Sequence, residues 1–358
     1  MLLLIVSALI LIGSIMVYSS SSVMAEASDK FNNHAFFLKR QLLWLVIAYV
    51  VLFVAMRIDL ERLRPMIIPA LFFCMALLII VFFMPTVRDT HRWFALGGVT
   101  FQPSELFKYA AVFYLAHSLS QKGRDLNSAR IYLWPYGVIL GAGALLIVME
   151  PDLGSVLIMG ATVTIIFFLA GARLTHLVLG LGGSALAVYV LVFLAGYKKF
   201  RVESYLASLS DPMLAVHQVK QSILSLACGG VFGVGLGDGV FKQFFLPEPH
   251  TDFIFASIGE ELGLLGLSFT LLLFIGLIWR GYKIAATQPD KFHFLLAAGL
   301  TSCLAVNIVI NIAVVLGLIP TTGLTLPFLS YGGSSLAVSS AAVGLLLNLS
   351  RGQQRRRA

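Results

Sequence analysis

The sequence Leu246-Pro-Glu-Pro-His-Thr-Asp-Phe253 runs directly into Ile254-Phe-Ala-Ser-Ile-Gly-Glu-Glu261 and then into a long apolar run. It places four carboxylates and a histidine between positions 248 and 261 of a chain that is 59% hydrophobic and only 12% charged. Acidic side chains next to an apolar run are costly and indicate a functional role. This junction therefore predicts both the class of fold and the position of a site.

Apolar runs continue on both sides of this junction along nearly the whole chain of 358 residues, whose mean hydropathy is +0.92. These values are typical of an all-α polytopic membrane protein, and we predict one membrane domain over 1–358 with about ten spans. The first run lacks a basic segment and a cleavage site, so we expect it to be retained as a span. The predicted spans are about 2–18, 41–56, 66–84, 106–119, 131–149, 155–171, 176–196, 254–279, 293–318 and 334–350.

The distribution of charge predicts the orientation of these spans. Alternate loops and the tail on one face carry 14 lysines and arginines against four acids, whereas the other face carries 11 against 13. Because the basic loops stay in the cytoplasm, we expect both termini there and the large loop 197–253, between spans 7 and 8, on the outer face. This distribution, rather than a basic patch, accounts for the net charge of +8, so we expect no nucleic acid partner.

Cysteine and histidine usage gives little sign of a disulfide framework or a transition-metal centre. The three cysteines are far apart, and the seven histidines have neither H-E-x-x-H nor H-x-x-E-H spacing. We predict no metal site built from these residues. Within the outer loop, Val219, Ile223 and Leu226 share one face at helical spacing, which predicts a short helix at the membrane interface.

Asp252 is the first candidate for chemistry. Thr251 or Asp252 could cap the eighth span, but Asp252 also lies where the loop meets the bilayer, and desolvation there favours a general base. We place His250 and Thr251 beside it as supporting residues. Glu260 and Glu261, about two turns further on, are either a structural pair or a second charge in the site.

Two other polar motifs lie at the predicted outer ends of spans. Pro103 predicts a helix start, and Glu105 and Lys108 then share a face as an internal ion pair or as the wall of a polar cavity. Glu150 and Asp152 form an acidic turn that could be solvent-exposed or hold a cation, although two acids are a weak signal for magnesium.

The uncharged segment Pro320–Ser335 contains two prolines and three glycines. It cannot span as a helix, so it should line a cavity or fold back into the bundle, and its Ser330 and Tyr331 are candidate substrate contacts. Among the outer basic residues, Arg92 and Lys220 are candidates for binding phosphate groups.

These motifs together resemble those of the SEDS family (shape, elongation, division and sporulation), and the resemblance covers almost the whole chain. It rests on Gln102–Glu105, Glu150–Gly154, His250–Ala256 with Glu260-Glu261, and Pro320–Ser335. Further stretches, Met16–Ser22, Gly233–Gly237 and Leu246–His250, favour the division (FtsW-like) branch over the elongation (RodA-like) branch.

The resemblance implies a ten-span peptidoglycan glycosyltransferase that polymerises lipid II on the outer face of the bacterial cytoplasmic membrane. It implies that Asp252 is the essential aspartate and that Glu105 and Lys108 line a central cavity. It also implies a class B penicillin-binding protein as partner, beside other division or elongation membrane proteins. The diphosphate leaving group would need positive charge from Lys108, Arg92 or a divalent cation, Mg²⁺ or Mn²⁺.

Two other functions remain open at this point. A lipid II flippase would also need a polar cavity and broken helices, although its polar residues should extend through the membrane. A non-catalytic scaffold for the penicillin-binding protein would need only the spans, and Asp252 would then be expendable.

Overall fold

The computed structural model describes residues 1–27, 33–86, 90–96, 99–121, 132–211, 214–242 and 245–357. Thirteen α-helices lie in these ranges, and the predicted all-α membrane fold is confirmed. In chain order they are α1 (Leu2–Ala27), α2 (Phe36–Ala55), α3 (Leu60–Leu63), α4 (Ile67–Ile80), α5 (Pro103–Ser120), α6 (Val138–Met149), α7 (Leu153–Ala170), α8 (Leu174–Tyr189), α9 (Lys199–Ser208), α10 (His217–Gly229), α11 (Ile254–Ala286), α12 (Lys291–Val315) and α13 (Gly333–Arg357).

Eight helical segments in the described chain are long and apolar enough to cross a membrane. They are Leu2–Ser22, Phe36–Ala55, Leu60–Phe83, Leu153–Ala170, Leu174–Leu194, Ile254–Ala286, Lys291–Val315 and Gly333–Arg351. The predicted spans 106–119 and 131–149 correspond to α5, which carries Glu105 and Lys108, and to the shorter apolar segment Trp134–Met149. The count of ten therefore stays a prediction.

One small β-hairpin departs from the all-α prediction. Strands β1 (Phe94–Leu96) and β2 (Val99–Phe101) pair antiparallel, with Phe94 opposite Phe101. Their β-branched and aromatic residues suit this extended conformation. The hairpin leads directly into α5, where Gln102 is still extended and Pro103 takes the first helical turn, as the fixed φ of proline favours.

The described chain forms two compact units, each assembled from segments that are distant in sequence. Unit 1 comprises Met1–Ile47, Ala187–Leu277 and Asn307–Gly332, and unit 2 comprises Ala48–Leu186, Ile278–Val306 and Gly333–Ala358. Neither unit is a continuous stretch of the chain. The prediction of a single domain over 1–358 stays a prediction.

Close helix packing in unit 2 depends on small residues. A Cβ on Gly143 of α6 would lie 2.1 Å from the Phe107 ring of α5, and one on Gly299 of α12 would lie 2.6 Å from Val112. Without side chains at these positions, the helix backbones approach closely, as is common within membranes. The core around Phe107 is fully buried as a result.

Helix α11 is interrupted at Gly263, in the part of the helix that belongs to unit 1, and this glycine has φ 65° and ψ −164°. The backbone N–H groups of Leu264 and Leu265 donate to the carbonyls of Gly230 and Val231, so the glycine-rich loop after α10 satisfies the groups that the break exposes. Residues 254–262 thus form a short buried helix. The following 264–286 carry exposed apolar side chains and are long enough to span alone. The predicted span 254–279 therefore combines two helices.

Candidate functional site

Asp252 lies in a turn between the predicted outer loop and α11. The turn is closed by the Thr251 N–H, which donates to the Glu248 carbonyl at 3.2 Å. Asn311, near the C-terminal end of α12, donates from Nδ2 to the Asp252 carbonyl at 3.0 Å and to the Leu324 carbonyl at 2.5 Å. Thr251 and Phe253 are buried, whereas Asp252 is half-buried. The backbone of Asp252 is therefore fixed while its side chain lies at a surface.

The segment from Pro320 to Gly332 is irregular, as predicted, and α13 begins at Gly333. Hydrogen bonds attach this segment to the turn at Asp252. The Ser330 Oγ accepts from the Leu326 N–H at 2.8 Å and donates to the Thr251 carbonyl. The Tyr331 N–H donates to the His250 carbonyl at 2.8 Å. Ser330 and Tyr331 thus position the turn that carries Asp252.

The side chain of His250 belongs to the same support. Its ring lies 4.6 Å from the Phe37 ring and 5.8 Å from the Tyr331 ring, centroid to centroid. His250 is 2% exposed, and Thr251 is 6% exposed. We therefore interpret His250 and Thr251 as residues that hold the turn in place.

Asp252 opens onto a pocket of about 60 Å³ within unit 1. The wall opposite the turn comes from the irregular segment, which confirms that this segment lines a cavity. Gly323 has φ 78°, a left-handed conformation that favours glycine, and a Cβ there would lie in ordinary contact with Asp252 Oδ2, at 3.6 Å. The lining residues are Arg201, Gln218, Asp252, Phe253, Asn311, Val314, Thr321, Thr322, Gly323 and Leu324.

Lys220 lies on α10 together with Gln218, yet Gln218 is the one that lines the pocket. Residues two positions apart on a helix point to different faces, so Lys220 cannot share the position of Gln218. Lys220 is half-buried. Its predicted contact with phosphate groups stays a prediction.

Glu260 and Glu261 do not line the Asp252 pocket, and their carboxylates bind the glycine-rich loop that follows α10. Glu260 accepts from the N–H groups of Val240 and Phe241 and from the Ser225 hydroxyl. Glu261 accepts from the Gly237 N–H at 3.0 Å and forms a buried ion pair with Lys242, Nζ to Oε1 2.8 Å. Of the two sequence interpretations, the structural pair agrees with these contacts.

Glu105 and Lys108 lie on α5 in unit 2 and form an ion pair with 2.8 Å between Oε1 and Nζ, their side chains 6% and 1% exposed. Asp152 is the N-cap of α7, where it accepts from the Ser155 N–H at 3.1 Å. Its Oδ2 also accepts from the Ser155 hydroxyl and the Gln102 amide at 2.7 and 3.0 Å. Both oxygens of the Asp152 carboxylate thus accept hydrogen bonds from the protein itself.

Glu150 and Arg92 meet in the turn before α7. The Arg92 Nε donates to the Glu150 carbonyl at 2.6 Å, and its Nη2 donates to the Pro151 carbonyl. The Glu150 side chain is fully buried, and its carboxylate has no hydrogen-bond partner within the described residues. Burial, assisted by the Asp152 charge and opposed by Arg92, raises the pKa of Glu150 to about 8.

The described part of the chain contains no group of three or more His, Cys, Asp or Glu residues that could hold a metal ion. Asp252 is the only carboxylate among the described residues lining its pocket, and Asp152 has its oxygens bonded elsewhere. An ion at Asp252 would occupy the proposed base. Neither of these two carboxylates therefore forms a divalent-cation site alone, and the cation expected from the sequence stays a prediction.

Of the ten described lining residues, only Asp252 was among the predicted site residues. The five polar residues that were missed are Arg201, Gln218, Asn311, Thr321 and Thr322. Asn311 could have been found from the sequence, since Asn307 and Asn311 lie one helical turn apart in an otherwise apolar span. Arg201 was one of many basic residues on the predicted outer face, and nothing in the sequence separated it from the others.

Comparison with known proteins agrees with this architecture. The sequence model of the family described as "Cell cycle protein", which covers FtsW, RodA and SpoVE, matches residues 1–355. Stage V sporulation protein E of Bacillus subtilis is 44% identical over 356 residues, covering 98% of this chain and 96% of that protein. The probable peptidoglycan glycosyltransferase FtsW of Geobacter sulfurreducens is 42% identical over 348 residues, covering 96% and 92%.

A solved structure is similar over the same length. It is that of a peptidoglycan synthase complex, described for its structural coordination of polymerization and crosslinking, and one of its chains superposes with a TM-score of 0.80. That chain is 28% identical, and the match covers 98% of the present chain and 97% of the other. The chain described here is a multi-pass membrane protein and belongs to the FtsW, RodA and SpoVE family of cell cycle proteins.

Proposed function

We propose that this protein is a peptidoglycan glycosyltransferase that polymerises lipid II into glycan strands during cell division or elongation. Family membership and a relative named as such an enzyme support the reaction class. The observation that carries the proposal is the pocket in unit 1, which brings Asp252 beside uncharged hydrogen-bonding side chains. Such a set of groups suits a sugar hydroxyl that has to lose a proton.

In the proposed reaction, Asp252 removes the proton from the 4-hydroxyl of the GlcNAc in one lipid II molecule. The oxygen then bonds to the anomeric carbon of the MurNAc at the end of the growing strand, with inversion. The bond from that carbon to the undecaprenyl diphosphate breaks, and the diphosphate leaves with the electron pair. A positioned base typically accelerates such a step ~10²–10⁴-fold.

The scaffold around Asp252 serves this role by fixing its position. Asn311 and Ser330 bind the carbonyls of Asp252 and Thr251, so two different segments hold the turn from both sides. A base held in this way needs little reorganisation when the substrate binds. His250, Thr251 and Tyr331 act in the same way, as positioning residues.

The positive charge for the diphosphate is a separate part of the proposal. Lys108 is paired with Glu105, and Arg92 binds the turn at Glu150, so each already has a partner in its own unit. Lys108, Arg92 and Lys220 stay the candidates that the sequence gives for this charge, and Mg²⁺ or Mn²⁺ is the alternative that a chelator would reveal.

The setting of the reaction is also proposed. The similar chain in a peptidoglycan synthase complex supports a class B penicillin-binding protein as the partner that crosslinks the strands, together with other division or elongation membrane proteins. The charge distribution of the loops supports a bacterial cytoplasmic membrane location, with Asp252 on the outer face.

Polymerisation of labelled lipid II by the purified complex with the penicillin-binding partner tests the proposal. The variants are Asp252→Asn, which keeps the size but removes the base, and Asp238→Asn, which changes an exposed carboxylate in the same outer loop. We expect long glycan products from wild type and Asp238→Asn, and a loss of at least ~100-fold in Asp252→Asn. Each sample is run with and without EDTA.

The same experiment separates the other functions. Wild-type levels of product from a folded Asp252→Asn protein would refute the role of Asp252. A verified wild-type complex that makes no glycan would favour a flippase, if it moves lipid II across vesicles, or a scaffold, if it does not. Loss of product with EDTA and recovery with Mg²⁺ would add the cation.

A further inference from the structure

Thr321 and Thr322 carry buried hydroxyls in the wall of the Asp252 pocket. Their side chains are only 7% and 8% exposed, and neither Oγ1 has a hydrogen-bond partner within the described ranges. Asn311 is 1% exposed, and its Oδ1 also has no hydrogen-bond partner within the described ranges, although its Nδ2 donates two hydrogen bonds. Three unpaired polar atoms thus belong to residues around one small pocket.

Buried polar groups of this kind destabilise the folded protein unless they have a hydrogen-bond partner. A buried hydroxyl without a partner loses its bonds to water, and valine, which has nearly the same shape, would avoid that loss. Unsatisfied buried polar groups are uncommon in native proteins, so each needs an explanation. A bound ligand that bonds to these atoms would provide one.

The chemistry of the wall identifies the class of ligand. Asp252 and the Asn311 Oδ1 accept hydrogen bonds, Arg201 donates them, and a threonine hydroxyl does both. Such mixed groups match the hydroxyls of a sugar, which also donate and accept. The two charged residues among the described lining residues, Arg201 and Asp252, have opposite charges, so the pocket favours a neutral ligand over a diphosphate.

The volume of the pocket limits how much of a sugar it can hold. Its volume of about 60 Å³ holds a few water-sized groups, since one water molecule needs ~10–15 Å³ on the same measure. It therefore admits one hydroxyl-bearing edge of a sugar ring, and the rest of the ring must lie outside.

We infer that Thr321 and Thr322 bind the acceptor sugar through the hydroxyls next to the one that Asp252 deprotonates. This inference rests on the proposed glycosyltransferase function and adds that the pocket is the acceptor subsite. The donor diphosphate binds elsewhere. The two threonines are positioning residues for the acceptor.

The test separates acceptor from donor. Lipid II whose own 4-hydroxyl is capped can act only as donor, so it is kept at a saturating concentration while labelled, uncapped lipid II is varied. The initial rate of the first coupling then gives the KM of the acceptor. The variants are Thr321→Val, Thr322→Val, their combination, and Thr321→Ser and Thr322→Ser as rescues. Thr325→Val is the matched control, because it lies in the same segment but outside the pocket lining.

We expect the acceptor KM to rise ~5–10-fold in each valine variant, as for the loss of one hydrogen bond, with kcat changed less than ~2-fold. The serine variants and Thr325→Val should behave as wild type, and the donor KM should stay constant. The Tm of the valine variants should be equal to or higher than that of wild type, because an unsatisfied hydroxyl is removed.

Three outcomes would overturn the inference. One is an unchanged acceptor KM in the double valine variant, and another is a rise confined to the donor KM. The third is a lower Tm with parallel loss of kcat, which would show that the hydroxyls stabilise the fold. Failure of the proposed function is distinct, since wild type would then give no coupled product or Asp252→Asn would remain active.

Discussion

At the scale of single residues, Glu150 is a carboxyl group whose burial disfavours its ionised form. Its pKa of about 8 compares with 4.5 for an ordinary glutamate, and burial is the main cause. The charged groups that act on it are Asp152, which raises the pKa further, and Arg92, which lowers it. The folded protein therefore keeps this carboxyl protonated at pH values where the unfolded chain ionises it.

The consequence is a loss of stability as the pH rises. Between pH 4.5 and about 8, the folded state holds a proton that the unfolded state has released, so each pH unit costs about 1.4 kcal/mol in the free energy of unfolding. The contribution is fully favourable below pH 4.5 and is lost as the pH approaches 8. Glu150→Gln should remove this dependence, because the amide does not titrate.

Thermal unfolding in detergent at about pH 6 and about pH 8 measures the effect. Wild type should lose more Tm between the two conditions than Glu150→Gln does. Glu203→Gln, at a carboxylate 53% exposed, is the control and should keep the wild-type slope. Equal slopes in wild type and Glu150→Gln would show that Glu150 is ionised in the folded protein.

At the scale of elements, the broken helix α11 and the glycine-rich loop stabilise each other. Carbonyl groups of the loop accept hydrogen bonds from the backbone N–H groups after the Gly263 break. The ion pair between Lys242 and Glu261 makes a second connection between the loop and α11. Lys242 also donates to the Ser19 hydroxyl of α1 at 2.9 Å and to the Gly237 carbonyl at 2.7 Å. A single buried ion pair therefore joins the loop, α11 and α1.

Glu261→Gln should destabilise the protein by about 3–5 kcal/mol, because it leaves the Lys242 ammonium buried without a counter-charge. Glu261→Gln combined with Lys242→Met should recover most of this loss. Hydrogen exchange of the peptide covering 229–242, together with Tm, measures both changes. Glu203→Gln breaks an exposed pair with Lys199 and should alter stability by less than about 1 kcal/mol.

A Glu261→Gln protein that melts and exchanges like wild type would contradict this account. It would mean that Lys242 finds enough partners in Ser19 and Gly237 alone. A double variant as unstable as the single one would instead show that the charges themselves matter less than the shape of the pair.

The elements also show which features could be predicted from the sequence. The helix start at Pro103 and the irregular segment from Pro320 to Gly332 follow from local chemistry, since proline and glycine restrict the backbone wherever they occur. The break at Gly263 could not be predicted, because glycine is common in membrane helices and the break is stabilised by carbonyls at positions 230–231. The partners of Asn311 are likewise known only from the fold.

At the scale of the whole molecule, the buried polar groups form separate sets in the two units. Unit 1 contains the Asp252 pocket and the Lys242–Glu261 pair, and unit 2 contains the Glu105–Lys108 pair and the Asp152 cap. The loops between spans contain the charge asymmetry that predicts the orientation. The proposed function on the outer face depends on that orientation, and the orientation can be tested independently of catalysis.

Accessibility of introduced cysteines gives this test. In a Cys228→Ser background, only the buried Cys74 and Cys303 remain of the native cysteines. Asp211→Cys then marks the exposed outer loop before α10, and Arg62→Cys, at a side chain 88% exposed, marks a predicted cytoplasmic loop. A membrane-impermeant maleimide added to intact cells stripped of their outer layers should label the first variant and not the second.

After permeabilisation, both variants should react, which confirms that the Arg62→Cys thiol is accessible once the reagent enters. Labelling of Arg62→Cys in sealed cells, with protection of Asp211→Cys, would invert the orientation. Asp252 belongs to the same connection as Asp211, the predicted outer loop between α8 and the membrane-spanning part of α11. An inverted result would place Asp252 in the cytoplasm, and strand synthesis outside the cell by this pocket would then be refuted.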